Sequence, residues 1–329
     1  MALYDNHGRV INYLRLAVTD RCNLRCFYCM PEQGIDYVAQ KDLLTYEEML
    51  RLVAILGRHG ITKVRITGGE PFVRKDMVDF MRALCNVPGI KDVHLTTNGT
   101  LTAALAPALR DMGVRSVNLS LDTLDKQRFH EITRRDLFDD VMQSFRALLD
   151  AGIPLKINCV VMEGRNTQDI LPLVRLAQYH SVGVRFIEEM PFNGTGATAG
   201  TSAWNHRQIL EVLRTAYPGI EKIPDPPFST SMNYHIPGFR GDIGIIAAYS
   251  RTFCGTCNRL RITPTGTLKT CLYDAGIFNI KDLMRAGADD HQIVHAIQDA
   301  ISHRAKDGWE AEANQRNIPI HESMSTIGG

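Results

Sequence analysis

The stretch "LRLAVTDRCNLRCFYCMP", Leu14 to Pro31, joins an alternating apolar run to three cysteines spaced C-x3-C-x2-C. "LRLAVT" (14–19) reads as a strand that puts Leu14 and Leu16 on one face and Arg15 on the other. Cys22, Cys26 and Cys29 then fall in the loop leaving that strand. An iron–sulfur cube takes four ligands, and a structural zinc site usually does too. Either a fourth ligand lies elsewhere in the chain, or the site keeps an open position.

Outward from this stretch the same unit repeats. Strand-like runs at "KVRIT" (63–67), "VHLTT" (93–97), "SVNLSL" (116–121), "LKINCVV" (155–161) and "VRFIEE" (184–189) alternate with helical patterns. Among the latter are "YEEMLRLVAILGRHG", "DMVDFMRALC", "LAPALRDMG", "FDDVMQSFRALLDAG" and "DILPLVRLAQYHS". Six β-α units in series predict parallel strands with crossover helices. A doubly wound sheet would bind its ligand at one switch point. A barrel gathers functional residues at the C-terminal ends of many strands. Here the unusual residues follow strand after strand: the cysteines, then "GGEP", then "NGT", then Ser120 and Asp122, then "EEMPF". That distribution predicts an α/β fold, an incomplete (β/α)6 barrel of the TIM type with an open side. The segment "FNGTGATAGTSAW" reads as a mobile loop, and the Pro-rich "PDPPFST" predicts a boundary near residue 228. Residues 1–228 would form the barrel, and residues 229–329 a second, α+β unit with two helices.

The balance of 37 Lys and Arg against 36 Asp and Glu gives a formal net charge of +1 over 329 residues. This excludes a broad nucleic-acid footprint or a polybasic membrane surface, so any basic chemistry must line a cavity. No apolar run approaches the ~20 residues of a membrane span. "MALYDNHGRVINYLRL" lacks the h-region and cleavage site of a signal peptide. The expectation is a cytoplasmic protein whose thiols stay reduced, with neither a nucleic-acid partner nor a membrane.

Six of the eight cysteines fall in two groups, and clustered thiols in a reducing compartment read as metal ligands. Cys85, in a helical pattern, and Cys159, in a strand, read as small buried hydrophobes. The second group, "FCGTCNRLRITPTGTLKTCLYD", places Cys254, Cys257 and Cys271 at C-x2-C-x13-C, and no cysteine follows. His291 and His295 stand at i,i+4 on a helical pattern but read as an exposed face. Two open cubes and two structural zinc sites both remain readings of these triads, the cube being the better fit to triples. Arg259 and Arg261 share one side of a strand beside the second triad. Arg15, Arg65, Lys156 and Arg185 recur on the barrel strands. Several cations pointing into one barrel imply a polyanionic ligand such as a triphosphate.

C-x3-C-x2-C with Tyr28 before the last cysteine, followed by "TGGEP" after the second strand, resembles the radical S-adenosylmethionine superfamily. That resemblance implies a partial (β/α)6 barrel and a 4Fe–4S cluster whose open iron is chelated by S-adenosylmethionine. Gly68 and Gly69 would let backbone approach the ligand, and Glu70 would offer an anion to its ammonium. Both triads, "VRITGGEP", "TTNG", "NLSLD", "MP" after the sixth strand, "CNRLR" and the pair Gly328–Gly329 closely resemble the GTP cyclase family that begins molybdenum-cofactor biosynthesis.

By that resemblance, Cys22, Cys26 and Cys29 hold the radical-generating cluster, and Cys254, Cys257 and Cys271 hold an auxiliary 4Fe–4S cluster. Tyr28, Gly69, Ser120 and Met190 match S-adenosylmethionine contacts. Arg15, Arg65, Thr96, Lys156, Arg185, Arg259 and Arg261 match GTP contacts. Gly328 and Gly329 would enter the active site as catalytic residues, where a frayed terminus is the plain alternative. The family's product is 3′,8-cyclo-7,8-dihydro-GTP. It is formed with electrons from an external donor and consumed by a separate cyclic pyranopterin monophosphate synthase. A homodimer is left open, and no role carries over to Gly194–Trp204. The rival readings are a radical enzyme acting on a peptide side chain and a non-catalytic protein with two zinc sites.

Overall fold

The structure is a computed structural model and describes residues 2–193, 204–314 and 322–328. A hairpin of β1 (Leu3–Tyr4) and β2 (Val10–Ile11) precedes β3 (Tyr13–Ala17). Then come α1 (Tyr46–Arg58), β4 (Lys63–Thr67), α2 (Met77–Cys85), β5 (Asp92–Thr97), α3 (Ala106–Asp111) and β6 (Ser116–Ser120). After α4 (Lys126–Thr133) and α5 (Phe138–Asp150) follow β7 (Leu155–Val161), α6 (Ile170–Tyr179) and β8 (Val182–Glu188). The six strands expected from the sequence are β3 to β8, with ends within two residues.

Beyond residue 205 lie α7 (His206–Ala216), β9 (Glu221–Lys222), β10 (Met232–His235), β11 (Asp242–Ile246) and β12 (Arg259–Ile262). Next are β13 (Thr267–Lys269), β14 (Phe278–Asn279), α8 (Ile280–Arg285), α9 (Asp290–Ser302), α10 (Gly308–Ala313) and α11 (Met324–Ile327). The described part of 229–329 thus holds four helices where the sequence suggested two. Of the four, α8, α10 and α11 have six residues or fewer, too short to show a helical period.

One mixed sheet runs through the molecule in the order β14-β13-β12-β3-β4-β5-β6-β7-β8-β11-β10-β9. Its central eight strands, β12 to β11 in that order, are parallel. The Pro-rich stretch near 228 lies between β9 and β10, and the sheet continues across it on both flanks.

Register explains how this sheet builds a site, because paired residues on adjacent strands point to the same face. Arg261 pairs Arg15, Arg15 pairs Arg65, and Arg65 pairs His94. Thr96 pairs Asn118, Asn118 pairs Lys156, and Asn158 pairs Arg185. One face is therefore polar from end to end. The alternate residues, among them Leu14, Ile66, Leu95, Leu119, Ile157, Val184, Ile245 and Leu260, are fully buried. They join one core with the helical residues Met49, Leu52, Phe80, Leu109, Phe145 and Leu173. Each such burial contributes about 1.5–3 kcal/mol. A doubly wound sheet is apolar on both faces, whereas this one is apolar on one.

Helix α1 shows how local sequence fixes these elements. Thr45 caps it in a reciprocal box with Glu48. Met49, Leu52, Val53 and Leu56 supply its buried face, and Gly60 at φ +95° follows its end.

Candidate active site

The loop after β3 carries Cys22, Cys26 and Cys29, all part-buried and free of disulfides. The Cys29 and Met30 amides both donate to the Cys26 carbonyl, at 2.9 and 3.0 Å, closing a tight turn. The loop after β4 is zipped alongside: Gly69 N–H donates to the Thr19 carbonyl and Glu70 N–H to the Arg21 carbonyl, each at 2.8 Å. A Cβ on Gly69 would fall on the Arg21 carbonyl, with that carbon at 2.6 Å and Asp20 O at 2.9 Å. The approach that demands glycine here is to the chain's own cysteine loop.

Glu70 also holds the loops together. Its side chain is fully buried and its carboxylate already accepts from the Thr97 hydroxyl at 2.9 Å, Asn98 N–H at 2.7 Å and Phe72 N–H at 3.2 Å. Burial pushes it up to about 7 against the pull of those donors. It is a strut joining the loops after β4 and β5. From the second of these, Asn98 Nδ2 donates to Cys22 Sγ at 3.6 Å and to Asn23 Oδ1 at 2.9 Å. The Tyr28 hydroxyl donates to Asp122 Oδ2 at 2.9 Å, and Val160 N–H holds the other oxygen at 2.8 Å.

Burial raises all three thiols. Cys22 is pushed up to about 11, with Glu70 adding to the effect, and Cys29 up to about 12, with Cys22 adding. Cys26 is raised well above its usual range by burial, then by Asp122 and the other two thiols. Thiolates at such a site call for a multivalent cation to hold them. Among the described residues, no three His, Cys, Asp or Glu side chains converge as one ion requires. Tetrahedral zinc, with Zn–S near 2.3 Å, would draw its sulfurs to about 3.8 Å apart. A cube spreads its thiolates over separate irons, and an all-thiolate triad fits that donor set.

The polar face of the sheet is crowded with cations. Arg65 is buried; its Nε donates to the Tyr13 hydroxyl at 2.8 Å, and its Nη1 to the Leu95 carbonyl at 3.1 Å and Thr96 Oγ1 at 3.5 Å. Burial alone would raise the Tyr13 hydroxyl, but Arg65, Arg15, Arg259 and Lys63 bring it down to about 7. Burial, then Arg261, lowers Arg15 to about 9, with Arg65 and Arg259 contributing. Burial, then Arg185 and Arg65, lowers Lys156 to about 8. Arg261 is lowered by burial and then by Arg259. His94, lowered to about 2 by burial and then Arg65, stays neutral. Arg185 differs, being paired to Asp242 Oδ1 at 2.5 Å and lying over Gly244, where a Cβ would meet its Cδ at 2.5 Å.

Thr67 Oγ1, His94 Nε2, Asn118 Oδ1, Asn158 Oδ1 and Arg259 Nε are buried on this face without a hydrogen-bond partner. An orphaned buried polar group costs about 1–3 kcal/mol. The face is built for an anionic, polar occupant. Tyr13, Lys63 and His94 belong to it without having been singled out from the sequence. The signal was available for the first two, which stand two residues from Arg15 and Arg65 on the same strands.

The second cysteine group begins just before β12 and ends after β13. Burial raises Cys271 to about 11 and raises Cys254, whereas Arg259 and Arg304 outweigh burial and bring Cys257 below its usual range. Segment 322–328 ties the two groups together. The Ser323 hydroxyl donates to the Cys29 carbonyl at 2.6 Å, Met324 N–H to the Phe192 carbonyl at 3.0 Å, and Lys269 Nζ pairs Glu322 at 2.5 Å. Gly328, at φ +77°, reaches the polar face, where its carbonyl accepts from Arg261 Nη1 at 2.7 Å. Met190 packs in a small apolar cluster with Phe192, Cys271, Tyr273, Met324 and Ile327.

Ser120, in register with Asn158, stands part-buried at the end of β6 on the polar face. Gly329, and residues 194–203 of the segment Gly194–Trp204, lie outside the described residues. His291 and His295 are exposed on α9, Cys159 is buried, and Cys85 is part-buried against the core.

Comparison with known proteins places this arrangement. Residues 16–177 match the family model "Radical SAM superfamily", and residues 182–309 match "Molybdenum Cofactor Synthesis C". The GTP 3′,8-cyclase of Moorella thermoacetica is 41% identical over 99% of this chain and 100% of its own length. Molybdenum cofactor biosynthesis protein 1 of Mus musculus is 41% identical over 97% of this chain but 50% of its own length. The chain thus spans about half of the mammalian relatives it matches. Among solved structures, SuiB of Streptococcus suis bound to S-adenosylmethionine superposes with a TM-score of 0.61 at 16% identity, over 88% of this chain and 69% of that one. The sequence matches show that the chain belongs to the GTP 3′,8-cyclase family of the radical SAM superfamily.

Proposed function

We propose that this chain converts GTP to 3′,8-cyclo-7,8-dihydro-GTP, the first step of molybdenum-cofactor biosynthesis. The observation that carries this reading is a cation-lined sheet face served by two groups of three cysteines. The eight parallel strands are read as an incomplete barrel. Strands that are parallel, apolar on the helix-covered face and polar on the other support the barrel. Two units share this sheet, residues 1–228 for the first cluster and residues 229–329 for the second.

Cys22, Cys26 and Cys29 would hold the first 4Fe–4S cluster, with Tyr28, Gly69, Ser120 and Met190 around S-adenosylmethionine. Cys254, Cys257 and Cys271 would hold the second. Bound together, the clusters and S-adenosylmethionine supply reductive radical chemistry. The chain's own contribution is positioning. Arg15, Arg65, Lys156, Arg259 and Arg261, joined by Lys63, receive the triphosphate through charge-assisted bonds of about 1.5–3 kcal/mol each. Thr96 adds a hydroxyl, and Arg185 contributes within its pair with Asp242. Gly328 fixes the direction of Arg261. Held at both ends, the ribose is left with little freedom, which is where rate is gained.

An external electron donor and a separate cyclic pyranopterin monophosphate synthase complete the sequence of reactions. The reduced thiols favour a cytoplasmic setting; no helix among the described residues is long and apolar enough to cross a membrane.

The test is anaerobic incubation of the reconstituted protein with S-adenosylmethionine, dithionite and GTP. Release of 5′-deoxyadenosine should depend on GTP and accompany the cyclised nucleotide; release indifferent to GTP would refute the substrate.

The depressed cations give a pH signature. In the free protein Lys156 loses its proton near pH 8, and a bound triphosphate raises that value. Affinity is therefore complete below pH 8 and falls as pH rises past it, by up to tenfold per unit for one linked proton. Titration of the holoprotein with tripolyphosphate between about pH 7 and 8.5 should show this decline, and Lys156→Gln should make it shallower, the remainder belonging to Tyr13 and Arg15 on the same face.

A further inference from the structure

We infer that Arg304 holds the second cysteine group in place and tunes its cluster through a hydrogen bond to the Cys257 sulfur. The inference rests on the cluster reading above and adds a residue to it.

Arg304 is almost fully enclosed, and its guanidinium is directed mainly at the stretch from Cys257 to Arg259. Nη2 donates to Cys257 Sγ at 3.1 Å and to the Arg259 carbonyl at 3.1 Å, while Nη1 donates to the Cys257 carbonyl at 3.0 Å. The fork thus grips one ligand by its sulfur and by its backbone. Nη1 also meets Asp5 Oδ2 at 3.4 Å, and the Asp5 side chain is completely buried.

Asp5 lies in the turn between β1 and β2, almost 300 residues away in sequence. Its other partner is Arg9, whose Nε donates to Asp5 Oδ2 at 2.6 Å. Arg9 Nη1 continues to the Cys254 carbonyl at 3.1 Å and the Lys306 carbonyl at 2.7 Å. One buried carboxylate therefore orients two guanidiniums, one on each of the paired ligands Cys254 and Cys257. Partners of this kind set both the geometry and the electronic character of a metal site.

The electrostatic consequence has a sign. A cationic N–H donor to a ligand sulfur stabilises the more negative, reduced state of a cluster, so it raises the reduction potential. The surroundings of the first group are different: Glu70 and Asp122 lie near its thiols, and the Cys22 sulfur accepts from neutral donors, Leu24 N–H at 3.4 Å and the Asn98 amide at 3.6 Å. Arg304 acts on the second cluster alone.

The measurement is a redox titration of the full-length, reconstituted chain followed by electron paramagnetic resonance, with iron content determined on each sample. A companion chain with Cys22, Cys26 and Cys29 changed to Ala isolates the second signal. Arg304→Gln should move the second midpoint negative by at least a tenfold change in the oxidised-to-reduced ratio, about 59 mV for one electron. Arg304→Lys keeps the charge but loses the fork, and should move it less. The first midpoint should not move. Loss of iron from the Gln variant, with retention and a smaller shift in the Lys variant, supports the same role through holding. Full iron and an unmoved second midpoint in both variants overturn it. If the companion chain with native Arg304 binds no iron, the cluster reading itself fails, an outcome distinct from an unmoved potential.

Discussion

Deleting Gly328 and Gly329 is expected to cut formation of the cyclised nucleotide by at least about 10²-fold while both clusters stay loaded. Gly328 is the one described residue of the pair, and it caps no core. Its carbonyl accepts from Arg261 Nη1 at 2.7 Å, and a Cβ there would meet Thr67 Oγ1 at 2.5 Å and Ala17 Cβ at 2.8 Å. It is therefore lodged against β3 and β4, on the face where the nucleotide is proposed to bind. Without it, Arg261 keeps its charge but loses the acceptor that aims it, beside an Arg259 that repels it. Misplacement of about 1 Å in a positioning group can cost 10²-fold. The anchors of the preceding segment, Lys269 to Glu322 and Ser323 to the Cys29 carbonyl, are untouched, so the fold and the first cysteine loop should survive. Gly328→Ala should show a similar loss, because φ +77° is strained for any residue with a Cβ. Product yield, 5′-deoxyadenosine release and iron content on the same samples separate these effects. Unchanged turnover in the truncated chain would sink the role given to Gly328.

The deletion also shows what the sequence can carry. The β-α series was legible because strands such as "KVRIT" and "LKINCVV" obey a strict period of two and are spaced by helices with a period near 3.6. The same parity placed Arg15, Arg65 and Lys156 on one face, and could have added Lys63. β11 was not legible: a Gly at 241 and another at 244 break the apolar run, yet it pairs β8 over five residues. Gly244 makes sense only once Arg185 is seen lying across it. The structural bonds of Glu70 were not legible either, because its donors Thr97 and Asn98 belong to another loop. The Asp5, Arg9 and Arg304 network carries no local signal at all. Its members are unremarkable in their own segments and acquire a role only when the fold brings residues 5 and 304 together.

Gly69→Ala is expected to remove the first cluster, or at least S-adenosylmethionine cleavage, while sparing the second. The added Cβ would land on the Arg21 carbonyl, within 2.9 Å of Asp20 O as well, and both neighbours are backbone with no rotamer to yield. Relief requires the loops after β3 and β4 to part. That breaks the bonds from Gly69 to Thr19 and from Glu70 to Arg21, each worth about 1 kcal/mol. Cys22 is the next residue after Arg21, so the displacement passes directly to a ligand. The Glu70 strut makes matters worse, since moving it strands a fully buried carboxylate from the Thr97 and Asn98 donors. None of these contacts reaches Cys254, Cys257 or Cys271. Iron content should therefore fall toward half of that of the unaltered chain, with the signal of the second cluster intact and deoxyadenosine release reduced at least about 10²-fold. A fully loaded variant that cleaves S-adenosylmethionine at the normal rate would show that the close approach of these loops is incidental, and that Gly69 serves neither the cysteine loop nor the ligand.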